Sequence, residues 1–429
     1  MKNVLIVGAG PAGLFAANEL ADSFDVTVIE EKPRVGGAGL GSDGKLNFHP
    51  RIGGDLTEFL SENDALDLLD YINQVFKKNG VDENDNFYME KQKELEAKTT
   101  KAGIKFIPIK QKHIGSDRLP NIMEKFRRNL MVKGVKFELN TRALDLINGE
   151  KLKIKTDKGN EECDYVLLSP GRSGSRWLTE ICEKLSLETE FNPVDVGVRV
   201  EVLNDVMNEI IYEYKSWDPK FHVQTPSYDD FVRTFCTCPS GYVTVEEYED
   251  SMFGVNGFSM HSEKSNNTNF ALLVRISLTE PLENTTEYAR SIVQQTNILG
   301  GGKPIIQRLG DLRQHRRSTW ERVERSFIKP TLRQVTPGDI SMAYPHRILQ
   351  DVLETLQRLG KTIPGIDSDS TLLYAPEVKF YAMRIKTNKN LQTKISNIFV
   401  AGDGAGISRG IVGAAATGII AARGILNLG

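Results

Sequence analysis

Cysteine is scarce. Cys163, Cys182, Cys236 and Cys238 are too few and too scattered in 429 residues for a disulfide framework, which fits a reducing, cytoplasmic setting. Neither charge is in surplus: 54 Lys and Arg stand against 57 Asp and Glu, a formal net charge of −3. No nucleic acid or anionic membrane is therefore expected as the main partner. Long apolar runs are also missing. Val4 to Val7 stop at Gly8, with Lys2 the one early cation, so no secretory signal is expected. The run GIVGAAATGIIAARGIL is shorter than the roughly 20 residues of a membrane span and is broken by Gly413, Gly418 and Arg423. It reads as a buried helix, with no stable membrane insertion. No His, Cys and carboxylate set has metal-ligand spacing, so no metal is expected.

What is present is a pattern that changes along the chain. Val4–Val7 and Val26–Ile29 read as buried parallel strands, and Pro11 to Ala21 as the helix between them. The polar stretch from Asn79 to Gly103 reads as first loop-like and then helical, a surface excursion. Short strands follow from Lys133, with Asn148-Gly149 and Lys158-Gly159 as turns. Beyond Pro193 come VGVRVEV, YVTVEEY and FALLVRISL, then the helical PHRILQDVLETLQRLG, with Pro345 at its start and Gly360 at its end. NIFVAGDGAGISRGIVGAAATG then returns to strand, glycine turn and alanine-rich helix. The length favours two domains. The expected fold is α/β: a Rossmann-like FAD-binding domain built from both chain ends (1–190 and 371–429), with an inserted α+β substrate domain (191–370).

Gly8-x-Gly10-x-x-Gly13 follows a strand and opens a helix through Pro11 and Ala12, the context that makes this motif informative. Gly8 permits a tight turn, Gly10 a close approach to a diphosphate, and Gly13 close helix–strand packing. Glu30 ends the second strand where a carboxylate would hydrogen-bond a ribose, with Glu31 beside it. Two features favour FAD over NAD. Arg34 and the Gly36–Gly37–Ala38 segment offer a second close backbone approach with a cation nearby. Gly402-Asp403 places a carboxylate between a buried strand and a helix, where it could accept from a ribityl chain. The helix start at Gly410, Ile411 and Val412 would then aim its dipole at the flavin pyrimidine. Asp403 as a plain helix cap remains the alternative.

The opening segment, CDYVLLSPGR and NIFVAGDGAG together resemble the two-ended FAD domain of the glutathione-reductase-type flavoprotein superfamily. More narrowly, GGAGLGSDGKLNF, HIGSDRLP, VDVGVRVE, FCTCPSGYV and GDGAGISRGIVGAAATGIIAARGI resemble the family of FAD-dependent dehydrogenases. The resemblance implies that Ala143 contacts the adenine end through its backbone and that Pro170-Gly171 lies near the cofactor. A Glu-x-Arg-x-x-x-Pro-x-Arg-like run is expected before the last strand. Here PEVKFYAMRI stands instead, with Lys379 and Ala382 at the arginine and proline positions, so a substrate role for Glu377 or Arg384 rests on a departed pattern.

A second nucleotide domain is not expected, because Gly300–Gly302 read as a helix stop. NAD(P)H would then be only a transient reductant. Lys45 follows the Gly36–Gly37 segment closely enough to stabilise a reduced flavin or a substrate oxyanion, and Asp43 reads either as a turn cap or as a proton donor. Arg199 either pairs with a neighbour such as Glu201 or meets an anionic substrate. RQHRRSTWERVER reads as a salt-bridged face, with a basic mouth for an acidic substrate or a pyridine nucleotide's phosphates as the alternative. His49 and His113 read as structural, and Cys236 and Cys238 as strand-end packing, with a redox-active dithiol as the alternative.

The expected function is an FAD-dependent oxidoreductase, a dehydrogenase or reductase. It would exchange a hydride between flavin N5 and a small organic substrate held between the two domains. A monooxygenase using NAD(P)H and oxygen, a non-catalytic flavin redox sensor and a purely NAD-binding protein stay open.

Overall fold

The computed structural model describes residues 1–41, 44–82, 88–115, 117–248, 251–259, 263–277 and 284–429; Asp43 lies outside them. The chain forms two units. One comprises Met1–Phe87, Ile109–Asn192 and Tyr381–Gly429, the other Tyr88–Pro108 and Pro193–Phe380.

The first unit is built on a parallel five-stranded sheet. β1 (Asn3–Val7) leads through α1 (Pro11–Leu20) to β2 (Asp25–Glu30). β3 (Lys136–Leu139), β4 (Tyr165–Leu168) and β5 (Ile398–Val400) complete the order β5-β4-β1-β2-β3. Every neighbouring pair is parallel. Val4–Val7, Val166–Leu168 and Ile398–Val400 are continuous apolar runs and all buried, as strands covered on both faces require. The connections leave β1 in opposite directions on its two sides, which creates a crevice at its carboxyl end, beside Gly8. The final helix, α2 (Gly410–Leu426), crosses α1 at close range. A Cβ on Gly418 would lie 2.1 Å from the Ala12 carbonyl oxygen. Among the described residues no helix is long and apolar enough to cross a membrane.

The second unit carries a mixed eight-stranded sheet. Its order is Thr336–Pro337, Ile305–Arg308, Leu372–Lys379, Val194–Leu203, Asn267–Ile276, Phe231–Cys238, Lys220–Gln224, Lys105–Ile107. Strict alternation in VDVGVRVEVL sorts the long strand's side chains. Val196, Val198, Val200 and Val202 join an apolar core with Ile292 and Val293 of the helix Thr285–Gly300 and Val352 and Leu356 of the helix His346–Gly360. Asp195, Arg199 and Glu201 point to the opposite face and are nonetheless fully buried.

The division departs from the expected boundaries in two places. Leu372–Lys379, assigned above to the FAD domain, is an interior strand of the second unit's sheet. The expected surface excursion has its helical part, but the segment joins the second unit. It supplies the helix Met89–Thr100 and the edge strand Lys105–Ile107, with Leu95 and Phe106 in the second unit's core. A short apolar run reads the same whichever sheet it enters, so the pattern alone could not assign it. Gly301, in the left-handed region at φ 63°, caps the helix Thr285–Gly300 as a stop.

Candidate functional site: converging glycine turns

In the first unit four turns from distant parts of the chain come together at the carboxyl ends of the strands. The Gly8 amide donates to the Ile29 carbonyl, and the Gly36 amide to that of Ala9, both at 2.8 Å. Gly8, at φ 101°, leaves no room for a side chain, since a Cβ there would lie 2.3 Å from the Ser169 carbonyl oxygen. A Cβ on Gly13 would lie 2.0 Å from the Gly8 oxygen, which is the close helix–strand packing expected of the third motif glycine. On the far side, a Cβ on Gly404 would sit 2.3 Å from the Gly171 oxygen, and one on Gly402 3.3 Å from the Ala12 Cβ. The amino-terminal turn, Pro170-Gly171 and the Gly402-Asp403 turn are therefore immediate neighbours.

Within this crowded ring a few backbones stay open. A Cβ on Gly10, Gly171 or Gly410 would meet no atom of the described residues within 4 Å. Neither N-cap residue, Gly10 before α1 or Arg409 before α2, caps its helix with its own side chain. The first-turn amides of Ala12 and Gly13, and of Ile411 and Val412, point out of their helices without intrahelical acceptors. Open backbone beside uncapped amides suits an extended, negatively charged ligand.

Glu30 behaves differently from a simple ribose acceptor. Its carboxylate takes the Ala9 amide at 2.8 Å and the Lys32 amide at 2.9 Å, which ties the glycine turn to the end of β2. A carboxylate has about four lone-pair positions, so a ribose hydroxyl can still be accommodated. Asp403 makes the capping contacts of the plainer alternative. It accepts from the Ser408 hydroxyl at 3.1 Å and the Gly410 amide at 3.3 Å. Burial pushes its carboxyl up from the ordinary range, while Arg409 and Arg172 pull it back down.

Glu31, Arg34, Gly37 and Ala38 lie exposed along the second turn, and a Cβ on Gly37 would lie 3.2 Å from the Gly10 Cα. Ala143 opens an antiparallel strand paired with Leu152–Thr156. Lys45 opens the strand Lys45–Phe48, opposite His113, and that strand packs against α2.

Sequence reasoning missed several contributors. The Ser169 hydroxyl donates to the Val7 carbonyl, the Thr417 hydroxyl accepts the Gly402 amide, and Arg409 stacks on Tyr381 at 4.2 Å. Thr417 sits one helical turn past Gly413 in a helix whose one other polar side chain is Arg423, and that lone hydroxyl was the available signal.

The other candidates lie in the second unit, deep in its sheet. Arg199 Nη1 meets Glu377 Oε1 at 3.1 Å, both side chains without solvent exposure. Nε donates to Asn269 Oδ1 at 2.8 Å and Nη2 to the Cys236 carbonyl at 2.7 Å. Glu377 also meets Lys379 at 3.2 Å, and Lys379 meets Glu246 at 3.1 Å. Burial opposes the guanidinium's charge, but the Glu377 carboxylate holds it firmly protonated. The expected partner Glu201 is engaged elsewhere, with Tyr374, Thr331 and Asn267. Arg199 and Glu377, expected as catalytic, are paired with each other inside the sheet. Cys236 and Cys238 form no disulfide. The arginine-rich cluster is a salt-bridged face, with Arg316 on the buried Asp311 at 2.8 Å and Arg313 on Asp369 at 3.2 Å.

Three family models match the chain. Residues 193–380 match the FAD-dependent protein C-terminal domain-like family, and residues 6–41 the NAD(P)-binding Rossmann-like domain. Residues 335–428 match glucose inhibited division protein A. An uncharacterized protein of Clostridium beijerinckii is 24% identical over 462 residues, covering 99% of this chain and 80% of the relative. Among solved structures, L-proline dehydrogenase from P. horikoshii is similar at 11% identity and a TM-score of 0.42, covering 99% of this chain and 93% of that one. Glycine oxidase from Bacillus cereus is similar at 12% identity and a TM-score of 0.41, covering 100% and 96%. The chain thus joins a Rossmann-like dinucleotide-binding domain to a middle segment similar to the C-terminal domain of FAD-dependent proteins.

Proposed function

We propose that the chain is an FAD-dependent oxidoreductase that exchanges a hydride with a small organic substrate. The observation that carries this reading is the meeting of the Gly8–Gly13, Gly171 and Gly402–Asp403 turns, with open backbone at Gly10, Gly171 and Gly410. In this reading Gly10 and the first amides of α1 hold the diphosphate, and Glu30 holds the adjacent ribose while bracing the turn. Asp403 and the start of α2 serve the ribityl and ring end, where the helix dipole favours negative charge. Lys45, on the strand beside α2, adds a cation on that side. When bound, FAD supplies hydride acceptance and donation.

The test is anaerobic. Purified protein should be yellow, and an organic substrate or NAD(P)H should bleach it without oxygen. Oxygen consumption coupled to substrate hydroxylation would instead select a monooxygenase. Flavin that resists every small donor would select a redox sensor, and a colourless protein would overturn flavin binding.

A further inference from the structure

The polar face of the second unit's sheet is not uniform. Around Arg199 it is closed and balanced, two cations facing Glu377 and Glu246. Toward the other edge the balance changes. The register sets Phe231 opposite Gln224, Arg233 opposite His222, and His222 opposite Lys105. Asp195 pairs with Arg275 across the neighbouring strands. Alternation puts these side chains, with Lys220 and Phe235, on one face.

Four cations, Lys105, Lys220, Arg233 and Arg275, share that area with two carboxylates. Asp218 meets Lys220 at 2.7 Å. Asp195, fully buried, meets Arg233 at 2.6 Å and stands 3.7 Å from Arg275. Two guanidiniums therefore lean on one carboxylate. Among the described residues the Arg275 side chain makes no hydrogen bond, and it is 44% exposed. Each guanidinium lies over a ring, Arg275 above Phe231 at 4.8 Å and Arg233 above Phe235 at 4.9 Å. A cation–π contact of this kind leaves a guanidinium able to use its N–H groups on an acceptor. His222 packs against Phe231 at 4.8 Å, and burial with the four surrounding cations pushes it down to about 3. It thus adds an apolar wall and no charge at neutral pH.

From this arrangement we propose that the Arg275–Arg233 area binds the carboxylate of a small organic acid, with Arg275 as its main partner and the phenyl rings of Phe231 and Phe235 flanking the carbon skeleton. The strand amides here belong to the sheet ladder, so the available donors are planar side-chain forks, which match a carboxylate's two coplanar oxygens. The assignment names the substrate class of the proposed oxidoreductase, and rests on that reading only in treating the acid as a substrate.

The experiment is calorimetric titration of the flavin-loaded protein with benzoate, benzamide and inorganic phosphate. Benzoate should bind, and benzamide, of the same shape without the charge, should not. Arg275→Gln, at an exposed position, should fold normally and weaken benzoate about tenfold or more, as loss of a charge-assisted pair implies. Arg275→Lys should recover part of that loss. Phosphate binding more tightly than benzoate, equal binding of benzamide, no binding of benzoate, or an unaltered Arg275→Gln variant would overturn the proposal. Flavin content and anaerobic bleaching, measured on the same samples, report separately on the oxidoreductase reading.

Discussion

The two units solve opposite problems on their sheets. In the first, the site is made of backbone: glycines let four turns approach until carbonyls and α-carbons nearly touch, and a few positions are left bare. In the second, the strand Val194–Leu203 buries charge on one face and compensates it with side chains from neighbouring strands and the hairpin Tyr242–Glu247/Phe253–Phe258. There even a glycine serves closure, since a Cβ on Gly257 would lie 1.6 Å from Arg199 Nη2. An open backbone ring can take up a ligand, whereas a closed ionic network can only hold its own strands together. Substitutions in the first should therefore change what is bound, and substitutions in the closed network around Arg199 should change what stays folded.

The largest expected effect breaks this comparison on the binding side. Gly10 has an ordinary φ of −73° and free space around it, so Gly10→Val should fold and melt as the parent does. Its side chain would occupy the proposed diphosphate position, and flavin content after gel filtration should fall to near zero. Folded protein with full flavin would show that the phosphate loop is misplaced. The next effect lies in the second unit. Glu377→Leu strands Arg199 and Lys379 without their shared carboxylate, and should cost about 3–5 kcal/mol in denaturant unfolding. Refolded material should keep its flavin stoichiometry.

A third prediction concerns pH. Asp351, buried on the helix His346–Gly360, accepts from the Thr225 hydroxyl at 2.7 Å. Burial first, then the nearby Asp230, raises it to about 7, while Arg347 pairs with Asp230 and holds that carboxyl low. The folded form thus keeps a proton that the unfolded chain loses near the usual carboxyl value. Its contribution is complete below that value and is lost as pH rises through about 7, a decline on the order of 1–3 kcal/mol. Asp351→Asn should flatten the dependence of the melting temperature between pH 5 and about 8. The smallest effect returns to the first unit. Asp403→Ala removes the contact to the Gly410 amide and should destabilise by about 0.5–2 kcal/mol, with a few-fold faster loss of flavin on dilution.

Local units of the fold were readable because their physics is local. The strand, glycine turn, helix and strand of Asn3–Glu30 all follow from consecutive residues, as does the helix His346–Gly360. The need to compensate Arg199 was legible too, since an arginine at an alternating position must be buried with a partner. The identity of that partner was not. Glu377 is 178 residues away, and it reaches Arg199 across a register shift between Gly197 and Arg199. Likewise Lys105–Ile107 became an edge strand only because Lys220–Gln224 offered it an open ladder. The site showed the same limit: the motif glycines announced themselves, while Ser169, Thr417 and Arg409 acquired meaning only once distant turns met.

The strand Ile398–Val400 has a consequence during synthesis. Its partner Tyr165–Leu168 emerges from the ribosome more than two hundred residues earlier and waits with one side unpaired. The second unit's main segment, Pro193–Phe380, is translated during that wait. The nascent amino-terminal half therefore carries an unpaired strand edge during that time, and the proposed flavin site, which needs the Gly402–Asp403 turn, is completed only after Pro193–Phe380 has been made.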